Sequence, residues 1–254
     1  MTGAGGVRPV ADNFAPLERE SLTARVYGEL RTALMEGRFW PGHRFKIRAL
    51  AAAMGVSETP VREALMQLVR ERGLEMHAGR SITVARLTLA QYLELRTIRL
   101  MLEGLAAETA AMRITDDGIA ALARVHSDLI AAEREGRWRD AIRANWRFHH
   151  TLYQAAGMPE LLALLEGIWL RNGPLLNYLY PHAMPTYPGR HQHLEVLDAL
   201  ARRDAAGVRE AIQADTIEGG VRLVRLMEDM EAGRIALIEA TEPPPAPAGR
   251  NTTA

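Results

Sequence analysis

Cysteine is missing from the 254 residues of the chain, which excludes disulfide bonds and thiolate metal ligands. No run of apolar residues is long enough to span a bilayer, and residues 1–16 lack the apolar core of a signal peptide. Aromatic residues make up only 6% of the chain, as in helical proteins rich in alanine and leucine. We therefore expect a soluble, cytoplasmic protein with no membrane partner.

Lysine is almost absent as well: Lys46 stands alone against 30 arginines, a bias that we attribute to a GC-rich genome. The net charge is zero, but the charges are unevenly distributed. Residues 19–87 carry 12 basic and 7 acidic side chains, whereas residues 88–254 carry 18 basic and 22 acidic ones. A cationic segment joined to an anionic one favours DNA binding by the first and a separate sensing body in the second.

Residues 47–68 have the pattern of two short helices joined by a tight turn. An apolar helix is predicted over 47–54, Gly55-Val56 forms the turn, and Ser57 can cap a second helix whose first turn tolerates Pro60. The apolar side chains expected between the two helices are Leu50, Ala53, Val56, Val61, Leu65 and Leu68. This spacing predicts a helix-turn-helix that presents its second helix to the major groove.

The flanking residues extend this motif to a winged helix over 19–87. An amphipathic helix is predicted over 21–35, and the alternating residues 75–77 and 81–84, joined by a turn, predict a two-stranded hairpin. We expect Arg62 to read a base or hold a phosphate, and Ser57 and Thr59 to meet phosphate oxygens at the helix N-terminus. Arg48 and Arg80, at the wing tip, are expected to reach the DNA backbone or minor groove.

Three segments, Pro41-Gly42, Leu50-Ala51 and the gap-free stretch 55–65, follow the pattern PG…LAxxxGVSxTPVREAL. With this pattern the chain resembles the GntR family of bacterial transcriptional regulators. The resemblance implies that Arg48, Thr59 and Arg62 contact operator DNA. Many members carry arginine where this chain has Glu58, which repels phosphate but can accept a hydrogen bond from a cytosine amino group. We therefore expect an operator that differs from those of better-known relatives.

From residue 87 onward the pattern is helical almost without interruption, and the chain as a whole is predicted to be mainly α. Helices are expected over 90–112, 116–135, 139–156, 159–179, 190–203 and 204–231. In the first of them the expected inward residues are Leu93, Ile98, Leu102, Leu105 and Ala106. We predict an antiparallel bundle of about six or seven helices over 88–235, a flexible segment over 1–18 and a disordered Pro/Ala-rich tail over 236–254.

This body resembles the C-terminal ligand-binding and dimerisation (FCD) domain of the FadR-type branch of the same family. The marks of the resemblance are Arg99-Leu100-Met101-Leu102-Glu103, Phe148-His149 with Leu152-Tyr153, and the stretch 193–200. It implies an all-helical effector-binding domain.

Asn145 and His149 are four residues apart, so they share one face of a helix, while His193 and Asp215 belong to two later helices. Two imidazoles with carboxylate and amide oxygens predict a site for a divalent metal of the zinc, nickel or manganese type. The resemblance implies a metal held by Asp and His four apart plus two later His. Here Asn145 replaces that Asp and Asp215 one of the His. The alternative is a hydrogen-bonded polar network without an ion.

The other histidines, His126, His150, His182 and His191, are expected to be surface or capping residues. Arg99 is a candidate to pair with an effector carboxylate, as the resemblance implies, although an ion pair with Glu103 or Glu94 on the helix surface is equally compatible with the sequence. Tyr153 and Tyr178 are expected to line the same effector cavity, together with Asn145.

Together these observations predict a transcriptional regulator, a repressor, that binds a palindromic operator as a homodimer. A small organic acid, bound near the metal and Arg99, would alter its operator affinity. One alternative is an effector-independent repressor with a purely structural body. Another is a metallohydrolase with a DNA-binding appendage, against which stands the absence of a positioned general base, a nucleophile elbow or a phosphate loop.

Overall fold

The structure is a computed structural model that describes residues 22–79 and 81–235. The segment expected to be flexible, the wing-tip Arg80 and the expected tail lie outside the described residues. In the described part the chain is mainly helical, with one small sheet near its N-terminal end, as the sequence predicts. None of the described helices is both long and apolar enough to cross a membrane.

The N-terminal part is a winged helix. Its elements are α1 (Leu22–Met35), β1 (Arg44–Phe45), α2 (Ile47–Met54), α3 (Glu58–Arg70), β2 (Leu74–Met76) and β3 (Ile82–Val84). The antiparallel sheet has the order β1-β3-β2, with Arg44 opposite Thr83 and Phe45 opposite Ile82. The sequence predicts only two strands, because two residues are too short to show the alternation that marks a strand.

The turn between α2 and α3 forms as the sequence predicts. Gly55 ends α2 with a positive φ of 66°, a conformation that glycine adopts without strain. Val61, Leu65 and Leu68 of α3 are buried. Two expectations are wrong: Ala51 rather than Ala53 is the buried alanine of α2, and Ser57 occupies the N-cap position of α3 without a capping hydrogen bond from its side chain.

The body consists of helices that surround a hydrophobic core of their own. They are α4 (Leu89–Ala111), α5 (Asp116–Arg134), α6 (Trp138–Ala155), α7 (Pro159–Asn172), a 3-10 turn (Gly173–Leu175), α8 (Leu176–Leu179), α9 (Gln192–Ala201), α10 (Ala205–Glu218) and α11 (Val221–Glu231). Side chains of Thr88, Thr115 and Asp204 cap the starts of α4, α5 and α10. The single helix expected over 204–231 is instead two, because the chain breaks at Gly219-Gly220.

The exposed face of α4 differs from the prediction. Ile98 and Leu105, expected to face inward, are 40% and 42% exposed, and Met101 and Met112 lie on the surface beside them. We call these four residues the α4 stripe. The buried face of α4 is instead formed by small residues such as Ala106, Ala107 and Ala110, which let α10 pack closely against it.

The winged helix and the body share one hydrophobic core. This core extends from Leu30, Leu34 and Leu65 of the winged helix to Trp169 and Leu170 of α7. Leu170 packs so closely on Gly73 that a Cβ atom there would lie 2.7 Å from Leu170 Cγ. Polar contacts reinforce the junction: the Asn177 Nδ2 amide donates to the carbonyls of Gly37 and Phe39 at 2.9 and 3.1 Å.

A charged bridge crosses the same junction. Arg31 of α1 contacts Glu166 of α7 at 2.6 Å, and the other Glu166 oxygen accepts a hydrogen bond from His150 of α6 at 2.8 Å. The hydrogen bond from His150, followed by that from Arg31, lowers the pKa of Glu166 to about 2 against the opposing effect of burial. This bridge therefore connects α6 and α7 of the body to α1 of the winged helix.

Leu170→Ala should reduce the free energy of unfolding by about 2–5 kcal/mol, because it opens a cavity in the shared core. Leu164→Ala, on the same helix but at a side chain that is 60% exposed, is the matched control and should change it by less than about 0.5 kcal/mol. Urea denaturation followed by circular dichroism measures both. Equally small losses would show that α7 does not carry a core shared by the two parts.

Candidate functional site

The N-terminal turn of α3 presents a polar, solvent-exposed surface. Arg48, Ser57, Glu58, Thr59 and Arg62, the described members of the predicted DNA-contact set, are all exposed on this side of the winged helix. The Ser57 hydroxyl makes no capping hydrogen bond, so it is available to an approaching phosphate. The face of the helix-turn-helix that points away from the core therefore carries the arginine and hydroxyl side chains expected of a DNA-binding surface.

Glu58 stands one helical turn before Arg62 and forms an ion pair with it, with 3.8 Å between Arg62 Nη2 and Glu58 Oε2. Both side chains are more than half exposed, so the pair adds little to stability. Its effect is on orientation, because the carboxylate restrains the guanidinium near the helix N-terminus.

The body contains a cavity of about 50 Å³ that is partly open to solvent. Helices α4, α6, α7 and α10 and the loop before α9 contribute its walls. The polar and aromatic lining residues are Tyr92, Arg99, Asn145, His149, Trp169, Asn172, Tyr187, Asp215 and Thr216. Its convergent polar groups, rather than its size, make this concave site a candidate for ligand binding.

Three of the predicted metal ligands meet at the wall of this cavity. His149 Nε2 lies 3.2 Å from Asp215 Oδ2 and 3.4 Å from His193 Nε2, and His193 Nε2 lies 3.8 Å from Asp215 Oδ2. All three side chains are buried. Asn145, one turn before His149, is half-buried and lines the same cavity. Residues that are 66 positions apart in the chain thus form one cluster, which we call the 149–193–215 cluster.

Two tyrosines orient this cluster. Tyr153 lies one turn after His149 on α6, with its hydroxyl 2.9 Å from His149 Nδ1. Tyr187, in the loop before α9, donates a hydrogen bond to Asp215 Oδ1 at 2.9 Å. The tyrosines bind His149 Nδ1 and Asp215 Oδ1, which face away from the rest of the cluster. His149 Nε2 and Asp215 Oδ2 therefore remain directed at its centre.

The environment sets the charges of the cluster. Burial lowers the pKa of His193 well below its usual value, so this ring is neutral at pH 7. Burial alone would raise the pKa of Asp215, but the neighbouring His193 and His149 hold it far below the usual value, so this side chain is a carboxylate. A neutral imidazole and an ionised carboxylate are the protonation states that metal ligands require.

The separations within the cluster fit a metal ion. For nitrogen and oxygen ligands about 2.1 Å from a tetrahedral zinc ion, neighbouring ligand atoms are about 3.3–3.4 Å apart. The three measured separations, 3.2, 3.4 and 3.8 Å, are close to that value without any rearrangement of the backbone. The residues present therefore fit a divalent ion in their mutual distances as well as in chemical type.

Arg99 lines the cavity and forms a buried ion pair with Glu103. Its Nε lies 2.8 Å from Glu103 Oε1 and its Nη2 lies 3.3 Å from Glu103 Oε2. The guanidinium also stacks over the ring of Trp169 at 4.9 Å. The sequence offered an ion pair of Arg99 with Glu103 or Glu94 on the helix surface. The partner is Glu103, and the pair is buried rather than at the surface. The Glu103 carboxylate raises the pKa of Arg99 against the opposing effect of burial, so the guanidinium stays charged.

The two tyrosines predicted for the effector cavity occupy different places. Tyr153 is fully buried behind His149 and contacts the cluster rather than the cavity surface. Tyr178 lines a separate cavity between the winged helix and the body, where its ring meets the edge of Trp40. Tyr153 thus belongs to the support of the 149–193–215 cluster, and Tyr178 to the junction between the two parts of the chain.

Three residues of the site are not predicted from the sequence. Trp169 and Thr216 donate hydrogen bonds to Glu103, and Tyr187 donates one to Asp215, yet the three come from separate elements. Glu103 itself is anticipated, because its spacing of four residues from Arg99 is a local signal. His126, expected at the surface, is buried, whereas His191 occupies the N-cap of α9, as expected of a capping residue.

A winged helix with an exposed polar surface, joined to a helical body with a partly open polar cavity, defines the class of DNA-binding transcriptional regulators. Residues 22–84 match the model of the bacterial regulatory proteins of the gntR family, and residues 94–216 match that of the FCD domain. The HTH-type transcriptional regulator McbR of Escherichia coli is 33% identical over 199 residues, which cover 77% of this chain and 90% of McbR. The chain therefore belongs to the GntR family, as a transcriptional regulator with an FCD domain.

Other relatives agree with this assignment. The HTH-type transcriptional repressor RspR of Escherichia coli is 25% identical over 209 residues, covering 81% of this chain and 91% of RspR. The solved structure of E. coli McbR/YncC aligns with a TM-score of 0.75 at 31% identity, covering 82% of this chain and 99% of that one. A putative GntR regulator from Rhodococcus sp. RHA1, at 23% identity and a TM-score of 0.62, shares the fold. These relatives are transcriptional regulators rather than enzymes, which overturns the metallohydrolase alternative.

Arg62→Ala should weaken specific operator binding by about 1–3 kcal/mol, the range for a lost base contact. Arg70→Ala, at the exposed far end of the same helix, is the control and should leave the affinity nearly unchanged. Gel-shift titration on a duplex selected from random-sequence DNA measures both. Equal affinities of the two variants would remove Arg62 from the DNA-reading surface.

Proposed function

We propose that this regulator represses transcription as a homodimer on palindromic operator DNA, and that a small carboxylate effector modulates its operator affinity. In this proposal the effector binds in the FCD domain beside a divalent metal ion. One observation carries the proposal: two imidazoles and a carboxylate from three helices converge at the wall of a cavity that an arginine also lines. The name of the relative RspR, a transcriptional repressor, supports the sign of the regulation.

The metal would be held by His149, His193 and Asp215, with the Asn145 amide oxygen or the effector completing its shell. An ion of the zinc, nickel or manganese type supplies a positive centre that binds carboxylate oxygens. With Nε2 of His149 as a ligand, Nδ1 carries the proton and donates it in a hydrogen bond to Tyr153. Tyr187 keeps Asp215 Oδ1 occupied, so that Oδ2 is directed at the ion.

The effector would be a small organic acid. Arg99 uses Nε and Nη2 for Glu103, which leaves Nη1 as the guanidinium nitrogen available to a carboxylate in the cavity. Asn145 offers both a donor and an acceptor at the opposite wall. The apolar surface of Leu176, Leu179 and Leu223 would cover the carbon skeleton of the acid.

Helix α7 provides a route from the effector to the DNA-binding part. Trp169 and Asn172 of α7 line the cavity, while Glu166 and Leu170 of the same helix contact Arg31 and Gly73 of the winged helix. A shift of α7 on effector binding would therefore reorient the winged helix. Coupling of this kind is worth about 1–3 kcal/mol in other regulators.

The α4 stripe supports the dimer. Ile98, Met101, Leu105 and Met112 follow the three- and four-residue spacing of one helix face, and they are exposed although apolar. Such a face is suited to an isologous contact with the same face of a second copy. Two winged helices held in this way would read two half-sites, because one recognition helix reaches only a few base pairs.

Protein purified without chelators and dialysed against metal-free buffer should retain about one transition metal ion per chain, as expected for a site with a carboxylate and two imidazoles. Asp215→Asn should lose it, because the charged ligand is replaced by a weak one. Asp198→Asn, which changes a half-exposed carboxylate of α9, is the matched control and should keep the ion. Elemental mass spectrometry measures all three. Wild-type protein without metal would leave a polar network in place of the proposed ion.

Among small mono-, di- and tricarboxylates, at least one should change the operator dissociation constant of the metal-loaded protein by roughly 5–150-fold. The same acid should have no effect on Asp215→Asn protein, which lacks the ion. Gel-shift titrations with and without each acid measure the effect. If none of the acids changes the affinity, the body is structural and the protein is an effector-independent repressor.

A further inference from the structure

His126, His191 and His193 form a second cluster, which shares His193 with the 149–193–215 cluster. His126 lies on α5, His191 is the N-cap of α9, and His193 is the second residue of that helix. One ring nitrogen from each lies within 4.8 Å of the others. The rings also contact each other directly, with centroids 4.9 Å apart for His126 and His191 and 4.4 Å apart for His191 and His193.

Two ring nitrogens in this cluster are buried and lack a hydrogen-bond partner among the described residues: His126 Nδ1 and His193 Nδ1. A buried polar atom without a partner costs free energy, so such atoms in a native protein indicate a missing water, ion or other ligand. His193 is fully buried and His126 nearly so, which excludes bulk solvent as their partner. His191 Nδ1 accepts a hydrogen bond from the backbone amide of His193, so the single lone pair of a neutral His191 lies on Nδ1, and this bond must break before His191 can bind an ion.

The surroundings suit a cation. The Asp215 carboxylate lies at the other edge of the His193 ring, with 3.8 Å between Asp215 Oδ2 and His193 Nε2. Lone pairs on neutral imidazoles near one carboxylate are what a divalent transition metal prefers, because its charge is partly compensated.

We propose that His126, His191 and His193 form a second binding position for a divalent transition metal ion, separate from the 149–193–215 cluster. Three imidazoles and a water molecule make a tetrahedral shell of a kind known for zinc. The ring nitrogens must approach each other before they share an ion, and the half-buried His191 has the freedom to do so. Without a carboxylate ligand, this position binds more weakly than the first.

The two positions share the imidazole of His193. Its Nε2 faces His149 and Asp215, and its Nδ1 is the unpartnered atom on the other edge of the ring. A neutral imidazole has a single lone pair, since its second nitrogen carries the proton. One His193 ring therefore serves one ion at a time, and an ion bound at either position excludes the other.

Titration of the metal-free full chain with Co²⁺, followed by its visible absorption and by calorimetry, tests this proposal. The wild type should bind one ion per chain. His149→Gln/Asp215→Asn, which removes the first position, should still bind one ion, more weakly and with a different spectrum. Adding His126→Phe to these two changes should abolish Co²⁺ binding, and His191→Gln is a less disruptive alternative to His126→Phe. The single variant His126→Phe should still bind one ion at the first position, as the wild type does. Circular dichroism confirms that each variant is folded.

A folded His149→Gln/Asp215→Asn protein that binds no Co²⁺ would overturn the second position. Two ions per wild-type chain would overturn the shared His193. The two positions are tested independently. The first fails if dialysed wild-type protein contains no metal. The second is decided by whether a change at His126 or His191 removes the Co²⁺ that the His149→Gln/Asp215→Asn protein still binds.

Discussion

The buried carboxylate of Glu103 is the interaction on which the rest of the site depends. It is 1% exposed, and an ion so deeply buried is tolerated only when each oxygen is paired. Arg99 binds both oxygens, Trp169 Nε1 donates to one at 2.8 Å, and Thr216 donates to the other at 3.2 Å. These partners come from α4, α7 and α10, so one carboxylate fixes three helices around the cavity. Thr216 is adjacent to Asp215, and Trp169 contacts His149 ring to ring, so the same carboxylate also places two metal-ligand candidates.

The position of α7 follows from this constraint and connects the two parts of the chain. Its cavity side carries Trp169, which is held by Glu103, and its other side carries Glu166 and Leu170, which hold α1 and Gly73. A helix packed on both sides cannot shift on one side alone, because protein interiors are close-packed. A change at Glu103 or at its partners would therefore reach the winged helix through a rigid element. This is the physical requirement for coupling between two distant sites, and it needs no change in the winged helix itself.

The sequence predicts what local patterns encode. The helix-turn-helix follows from Gly55, the apolar spacing of α2 and α3 and the Thr-Pro pair, all within about twenty residues, and the polar residues of the body follow from spacing and resemblance. The strand β1 is not predicted, because two residues carry no period. Ile98 and Leu105 are placed on the wrong face, since helical periodicity identifies an apolar stripe but does not tell a core from a contact between copies. The burial of His126, and the partners of Glu103 other than Arg99, depend on the packing of helices far apart in the chain, which no local pattern contains.

Relative to the family pattern, this chain has Asn in place of an Asp at 145 and Asp in place of a His at 215. The site keeps one carboxylate, but that carboxylate lies on a different helix. Asn145 removes a carboxylate from α6, and Asp215 restores one on α10, beside Thr216 and therefore beside Glu103. Arg99 and Glu103 cancel each other, so a divalent ion held by two neutral imidazoles and Asp215 would leave one uncompensated positive charge among buried side chains. An effector with one carboxylate would neutralise it, whereas a neutral ligand would not. In the proposed site the ion would lie beside His149, whose ring contacts that of Trp169 on α7. An effector that binds this ion would therefore lie close to α7, the helix that contacts the winged helix.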